Sequence, residues 1–85
     1  MQELPNNLTG QFLKKHEDFH GIVMLYAMGW EEDFGDNIVV EVVESDEEKQ
    51  QRMPLYEAAG YVLKDINAFG DSNGMVGIAC CYQKK

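Results

Sequence analysis

The run NIVVEVVES, residues 37–45, restricts the fold more than any other part of the chain. Its β-branched side chains lose rotamer freedom in a helix and pack well on a pleated surface, so the segment is predicted to be a strand. It needs strand partners, and two other segments qualify. Residues 21–30, GIVMLYAMGW, are apolar on both alternating sets, with Ile22, Met24, Tyr26 and Met28 on one side and Val23, Leu25 and Ala27 on the other. That pattern suits a central strand covered on both faces. The alternative is a helix running through it, and Gly21 alone argues against this. Residues 74–83, GMVGIACCYQ, follow the turn GDSNG and read as a third strand, with Val76, Ile78, Cys80 and Tyr82 on one face.

Two helices complete the pattern. The first follows Pro5 and the Asn6-Asn7 pair and runs to about His20, with Leu8, Phe12, His16 and Phe19 on one stripe. The second has Pro54 at its start, Gly70 after its end, and Leu55, Ala58, Ala59, Val62, Leu63, Ile66 and Phe69 on one apolar face, with Gly60 as a close-packing position. The predicted fold is α+β in the order α-β-β-α-β. Its three-stranded antiparallel sheet has order 2-1-3, with both helices on one face. Such a sheet leaves Val39, Val43 and Met75 on its uncovered face, a patch that a homodimer would bury. The chain of 85 residues has room for one small domain, with residues 1–6 expected to be flexible.

Compartment is read from three features. No apolar run approaches the roughly 20 residues that span a bilayer, and the N-terminal stretch lacks a secretory pattern. The two cysteines, Cys80 and Cys81, are adjacent, and neighbours on a strand point to opposite faces, so both are expected to be reduced thiols. A cytoplasmic protein is expected, without contact to membrane.

Both histidines fall in the string His16-Glu17-Asp18-Phe19-His20. On one helical face, two histidines four apart can ligate zinc while the glutamate activates a bound water, and the string resembles the zincin metalloprotease motif. Lys14, Lys15 and Asp18 crowd it with charge, and the third ligand would have to be Cys80, Cys81 or an acid. The expected reading is a helix end with two half-exposed histidines, with a zinc hydrolase built on His16 and His20 as the alternative. No other catalytic motif is present, and neither an enzyme nor a cofactor is expected.

Charge is distributed unevenly. Residues 31–48 hold nine of the fifteen acids, Glu31, Glu32, Asp33, Asp36, Glu41, Glu44, Asp46, Glu47 and Glu48, with no Lys or Arg among them. Neither EEDFGD nor DINAFGDSNG has the spacing of a calcium loop. With a net charge of −8 and scattered basic residues, direct nucleic-acid binding is not expected. In size and charge the chain resembles small acidic bacteriophage proteins that inhibit host nucleases, polymerases or defence complexes. That likeness of composition implies a nucleic-acid mimic that occupies a basic groove. The expected function is therefore a binding module, an inhibitor or regulator that docks on the basic surface of a larger protein. Glu31, Glu32, Asp33, Asp36, Glu44, Asp46, Glu47 and Glu48 would make its charge contacts, and Trp30 and Phe34, in the predicted hairpin loop, its apolar anchors. The competing reading is a solvated surface that keeps the domain soluble, with a homodimeric structural role.

Overall fold

The computed structural model describes residues 7–85, and the expectation for residues 1–6 lies outside them. The chain forms α1 (Thr9–Lys15), a 3-10 turn (Glu17–Phe19), α2 (His20–Phe34), β1 (Ile38–Val43), α3 (Asp46–Ala58), β2 (Tyr61–Asp71) and β3 (Gly74–Lys84). The class is α+β, with helices on a three-stranded antiparallel sheet. The run at residues 37–45 and the one at 74–83 are both strands, as their sequences indicate. The element order is corrected from α-β-β-α-β to α-α-β-α-β-β, and the sheet order from 2-1-3 to β1-β3-β2, so the last strand is central.

Residues 21–30 are helix, not strand. A segment apolar on every side satisfies both periods, and length decides between them. The apolar spacing continues beyond residue 30: Val23, Tyr26, Trp30 and Phe34 lie three, four and four residues apart, and all four join the core. That makes one continuous face about three turns long at helical spacing, which strand alternation would split between two faces. Gly21 near the helix start is tolerated because the stop lies at its other end, where Gly35 takes φ +93° and its N–H reaches the Glu31 carbonyl at 2.8 Å.

The second helix lies earlier in the chain than its sequence pattern predicts. α3 begins at the N-cap Ser45, whose Oγ accepts a hydrogen bond from the Glu48 N–H at 3.1 Å. Ser45 and Glu48 have the spacing of a capping box. Pro54 therefore lies inside the helix and not at its first position. The helix stops at Gly60, which adopts φ +92°, a left-handed conformation that residues with a Cβ avoid. Val62, Leu63, Ile66 and Phe69 then belong to β2, where their helical spacing is accidental. β2 turns into β3 through Ser72 and Asn73, with the Asn73 N–H donating to Asp71 Oδ1 at 2.8 Å. So tight a connection makes the two strands antiparallel neighbours.

Helices cover both faces of the sheet, which corrects the expectation of one helical layer. The central strand requires this, because residues 77–82 of β3 are buried on both sides. On one side Ala79 and Cys81 pack with Val42 of β1 and with Phe12, Val23 and Trp30 from α1 and α2. Gly77 on this face is held to glycine, since a Cβ there would lie 2.8 Å from the Phe12 ring and 2.9 Å from Phe69. On the other side Ile78, Cys80 and Tyr82 pack with Val43 and with Tyr56 of α3. Within β2 the pairing steps from Leu63↔Tyr82 to Asp65↔Cys81, and this bulge at Lys64 sends Asp65 and Phe69 to the α2 side. The patch predicted from Val39, Val43 and Met75 is not open: α3 buries Val43, Val39 packs against the same cluster, and only Met75 is exposed.

One buried ion pair fastens α3 to the sheet. Glu41, in the middle of β1, is fully buried. Arg52 approaches it with Nη2 at 2.6 Å and Nε at 3.2 Å, and the Tyr56 hydroxyl donates to it at 2.7 Å. Removing the cation strands a carboxylate in the interior. Arg52→Met is expected to cost about 3–5 kcal/mol and Tyr56→Phe about 1–3 kcal/mol, measured by urea denaturation. A loss from Arg52→Met no larger than that of a surface substitution would show that the pair does not hold α3.

Candidate functional site

The nine acids of residues 31–48 divide by environment into three groups. Glu41 belongs to the buried pair. Glu44, Asp46, Glu47 and Glu48 surround the N-terminus of α3, where negative charge complements the helix dipole and Asp46, Glu47 and Glu48 form the first turn. There Glu44 meets Lys15 at 3.4 Å, Asp46 meets Lys49 at 3.2 Å, and Gln50 donates to Asp46 at 3.0 Å. Glu47 is exposed and Glu48 half-buried. Helix capping accounts for this group.

The third group has no such account. Glu31, Glu32 and Asp33 form the last turn of α2, not a hairpin loop, and Asp36 follows it. All four are exposed, and none has an ion-pair partner among the described residues. That turn contains no basic residue. Carboxylates at a helix C-terminus oppose the macrodipole, each typically at about 0.3–1 kcal/mol. Met28, Glu31, Glu32 and Asp36 line a shallow groove of about 350 Å³ there.

Trp30 and Phe34 are not surface anchors, contrary to the sequence reading. Trp30 is 3% exposed, and its Nε1 donates to Asp65 Oδ2 at 2.9 Å. Phe34 is half-buried against the same core. Helical winding turns both inward and turns Met24, Leu25 and Met28 outward, at 47%, 68% and 61% exposure. A strand assignment divides these three between two faces and so hides them as a surface. Their helical spacing with Gly21 and Glu32 was the available signal.

The two histidines are not brought together on one helical face. His16 leaves the helix with φ −130° and ψ 65°, and α2 starts only at His20. The His16 ring lies 4.6 Å from the Phe12 ring with its Nε2 buried and unpartnered, whereas His20 is exposed. Among the described residues no group of three or more His, Cys, Asp or Glu side chains is placed to hold a metal ion.

Beside Glu41 lies a buried set of titratable side chains. The Tyr56 and Tyr82 rings stack at 4.1 Å, and Cys80 belongs to the same buried cluster. Burial pushes the Cys80 thiol up to about 12 and the Cys81 thiol up to about 11, so neither has thiolate character near neutrality. Burial likewise raises Tyr56 and Tyr82, with Glu41 adding to both. The Glu41 hydrogen bond raises Arg52. This is the chemistry of a stable interior.

Comparison of the chain with protein-family models, with curated proteins and with solved structures finds no match. Among the described residues no helix is long and apolar enough to cross a membrane.

Two outcomes follow from this geometry. Trp30→Ala is expected to destabilise the fold itself by about 3–5 kcal/mol, seen as a lower urea midpoint. Cys80, Cys81, Tyr56 and Tyr82 all have raised values in the fold and so favour their neutral forms there. Their contribution is fully present below the ordinary values of 9.0 and 10.0, and is lost as pH rises through the folded ones. The melting temperature should therefore fall progressively above pH 9.0. A flat profile through about pH 11 would contradict this.

Proposed function

We propose that the protein is a small, non-catalytic binding module whose acidic α2 terminus docks on the basic surface of a larger protein, as an inhibitor or regulator. The observation that carries this reading is the cluster of Glu31, Glu32, Asp33 and Asp36, without an ion-pair partner among the described residues, at the wrong end of a helix dipole. A solvated face needs no such placement, because the same acids would keep the domain soluble at the helix N-terminus and stabilise it there. Closely spaced carboxylates resemble a run of phosphates, and a groove built for nucleic acid is the basic surface they suit best. Docking there would occlude the groove. We read the protein as cytoplasmic, in keeping with two buried free thiols.

The test reverses the charges that the fold does not use. Glu31→Lys, Asp33→Lys and Asp36→Lys together should leave thermal stability unchanged or slightly raised, since they relieve repulsion and complement the dipole. Affinity-purified partners from native cells, quantified by mass spectrometry, should be lost with this variant. The wild-type affinity for a partner so identified should fall steeply with added salt. Equal recovery of the same partners by both proteins would defeat the reading.

A further inference from the structure

Along the outward face of α2, Gly21, Leu25, Met28 and Glu32 recur at steps of four, three and four, the seam of a helix that packs on another helix. Met24 and Gly29 flank the seam. Every member is exposed, and a Cβ built at Gly21 or Gly29 meets nothing within 4 Å, so the backbone can be approached closely there. In the monomer this seam leaves Met24, Leu25 and Met28 in water.

The seam is complementary to itself in reverse. Positions 25 and 28, 24 and 29, and 21 and 32 are equidistant from its midpoint, so a second α2 laid antiparallel brings each member of a pair against the other. Leu25 then packs on Met28, the long Met24 enters the space left by Gly29, and Glu32 reaches the N-terminal turn at Gly21. That turn has no acidic residue and no side-chain cap, while the opposite end carries the uncompensated acids. Antiparallel pairing sets each Glu32 against the positive end of the partner's dipole, reversing the sign of its interaction with its own helix. A parallel pair would put the acidic ends together. We infer that a second copy of this chain occupies the outer face of α2, as an antiparallel helix pair about a two-fold axis at the centre of α2.

This inference does not rest on the docking reading. Of the four acids at the α2 terminus, Glu32 alone lies on the seam; Glu31, Asp33 and Asp36 flank it and remain accessible, one set at each end of the pair. The dimer thus presents two acidic ends on opposite sides, which raises avidity for a partner with repeated basic sites. A contact made by one helix pair falls at the low end of specific interfaces, below about 1,200 Å² in total, and the association is reversible.

Sedimentation equilibrium of the full chain across three decades of concentration tests the proposal. The wild type should pass from monomer to dimer, and Leu25→Glu or Met28→Lys should weaken the dimer at least tenfold without changing the circular dichroism, as both positions are exposed. Met75→Glu, at an exposed apolar residue off the seam, should leave association unchanged. Glu32→Lys should weaken it, while Glu31→Lys with Asp36→Lys should not. Register is read by oxidising an equimolar mixture of Leu25→Cys and Met28→Cys chains, in which unlike chains should link in preference to like ones; the native thiols are buried and do not compete. A monomer at every concentration, a dimer that survives Leu25→Glu, or one lost in Met75→Glu overturns the inference. Preferential linking of like chains would also overturn it, by excluding the antiparallel register.

Discussion

The architecture depends on burying β3 along both of its faces. A central strand in a sheet of three must be covered twice, and this chain meets the demand with side chains of different size on the two sides. Glycine, alanine and cysteine at 77, 79 and 81 make room for the aromatic residues of α1, α2 and β2, while Ile78, Cys80 and Tyr82 supply bulk against the thinner layer of α3. The bulge at Lys64 serves the same end, because it turns Phe69 and Asp65 to the side where Trp30 and Phe12 need partners. The edge of β1 is closed by Thr9 and Asn7, which donate to the Val40 carbonyl at 2.8 and 2.9 Å. Thr9 also accepts from the Val42 N–H at 3.2 Å.

Within this frame the acids are separated by what the fold asks of them. Those around Ser45 begin a helix, and Glu41 joins that helix to the sheet. Those after Trp30 do neither. Charge that stabilises its own helix explains itself, whereas charge placed against its helix is what the proposed docking rests on. The proposed docking surface and the proposed helix pair both draw on that same imbalance, with Glu32 on the seam and Glu31, Asp33 and Asp36 beside it.

Legibility in the sequence followed the uniqueness of each local signal. β1 and β3 could be read because β-branched runs and a GDSNG turn admit one interpretation. α2 could not, because residues 21–30 are apolar in every direction and the two periods become indistinguishable; only the continuation to Phe34 breaks the tie. The face traced through Leu55, Val62 and Phe69 misled because it crossed Gly60, whose left-handed backbone ends one element and starts another. The capping pair Ser45 and Glu48 would have placed α3 correctly. The error in α2 carried into the site: once residues 21–30 are wound as a helix, Trp30 turns to the core and Leu25 and Met28 to the surface. The acidic positions themselves were legible, but their division into helix caps, a core pair and an unsupported cluster needed the fold.

Glu41 has a further consequence before the fold is complete. Among the described residues β1 pairs only with β3, across a separation that runs from Val43 and Ile78 to Ile38 and Gln83. β3 follows the other strands in the chain, so the segment IVVEVV must wait for its partner while the β2–β3 hairpin closes locally. Five β-branched residues in an unpaired stretch are prone to stack with copies of themselves. A carboxylate at the centre of that stretch, with Arg52 not yet brought to it, repels such stacking. The residue that later anchors α3 thus guards its own strand against aggregation while the chain is still unfolded.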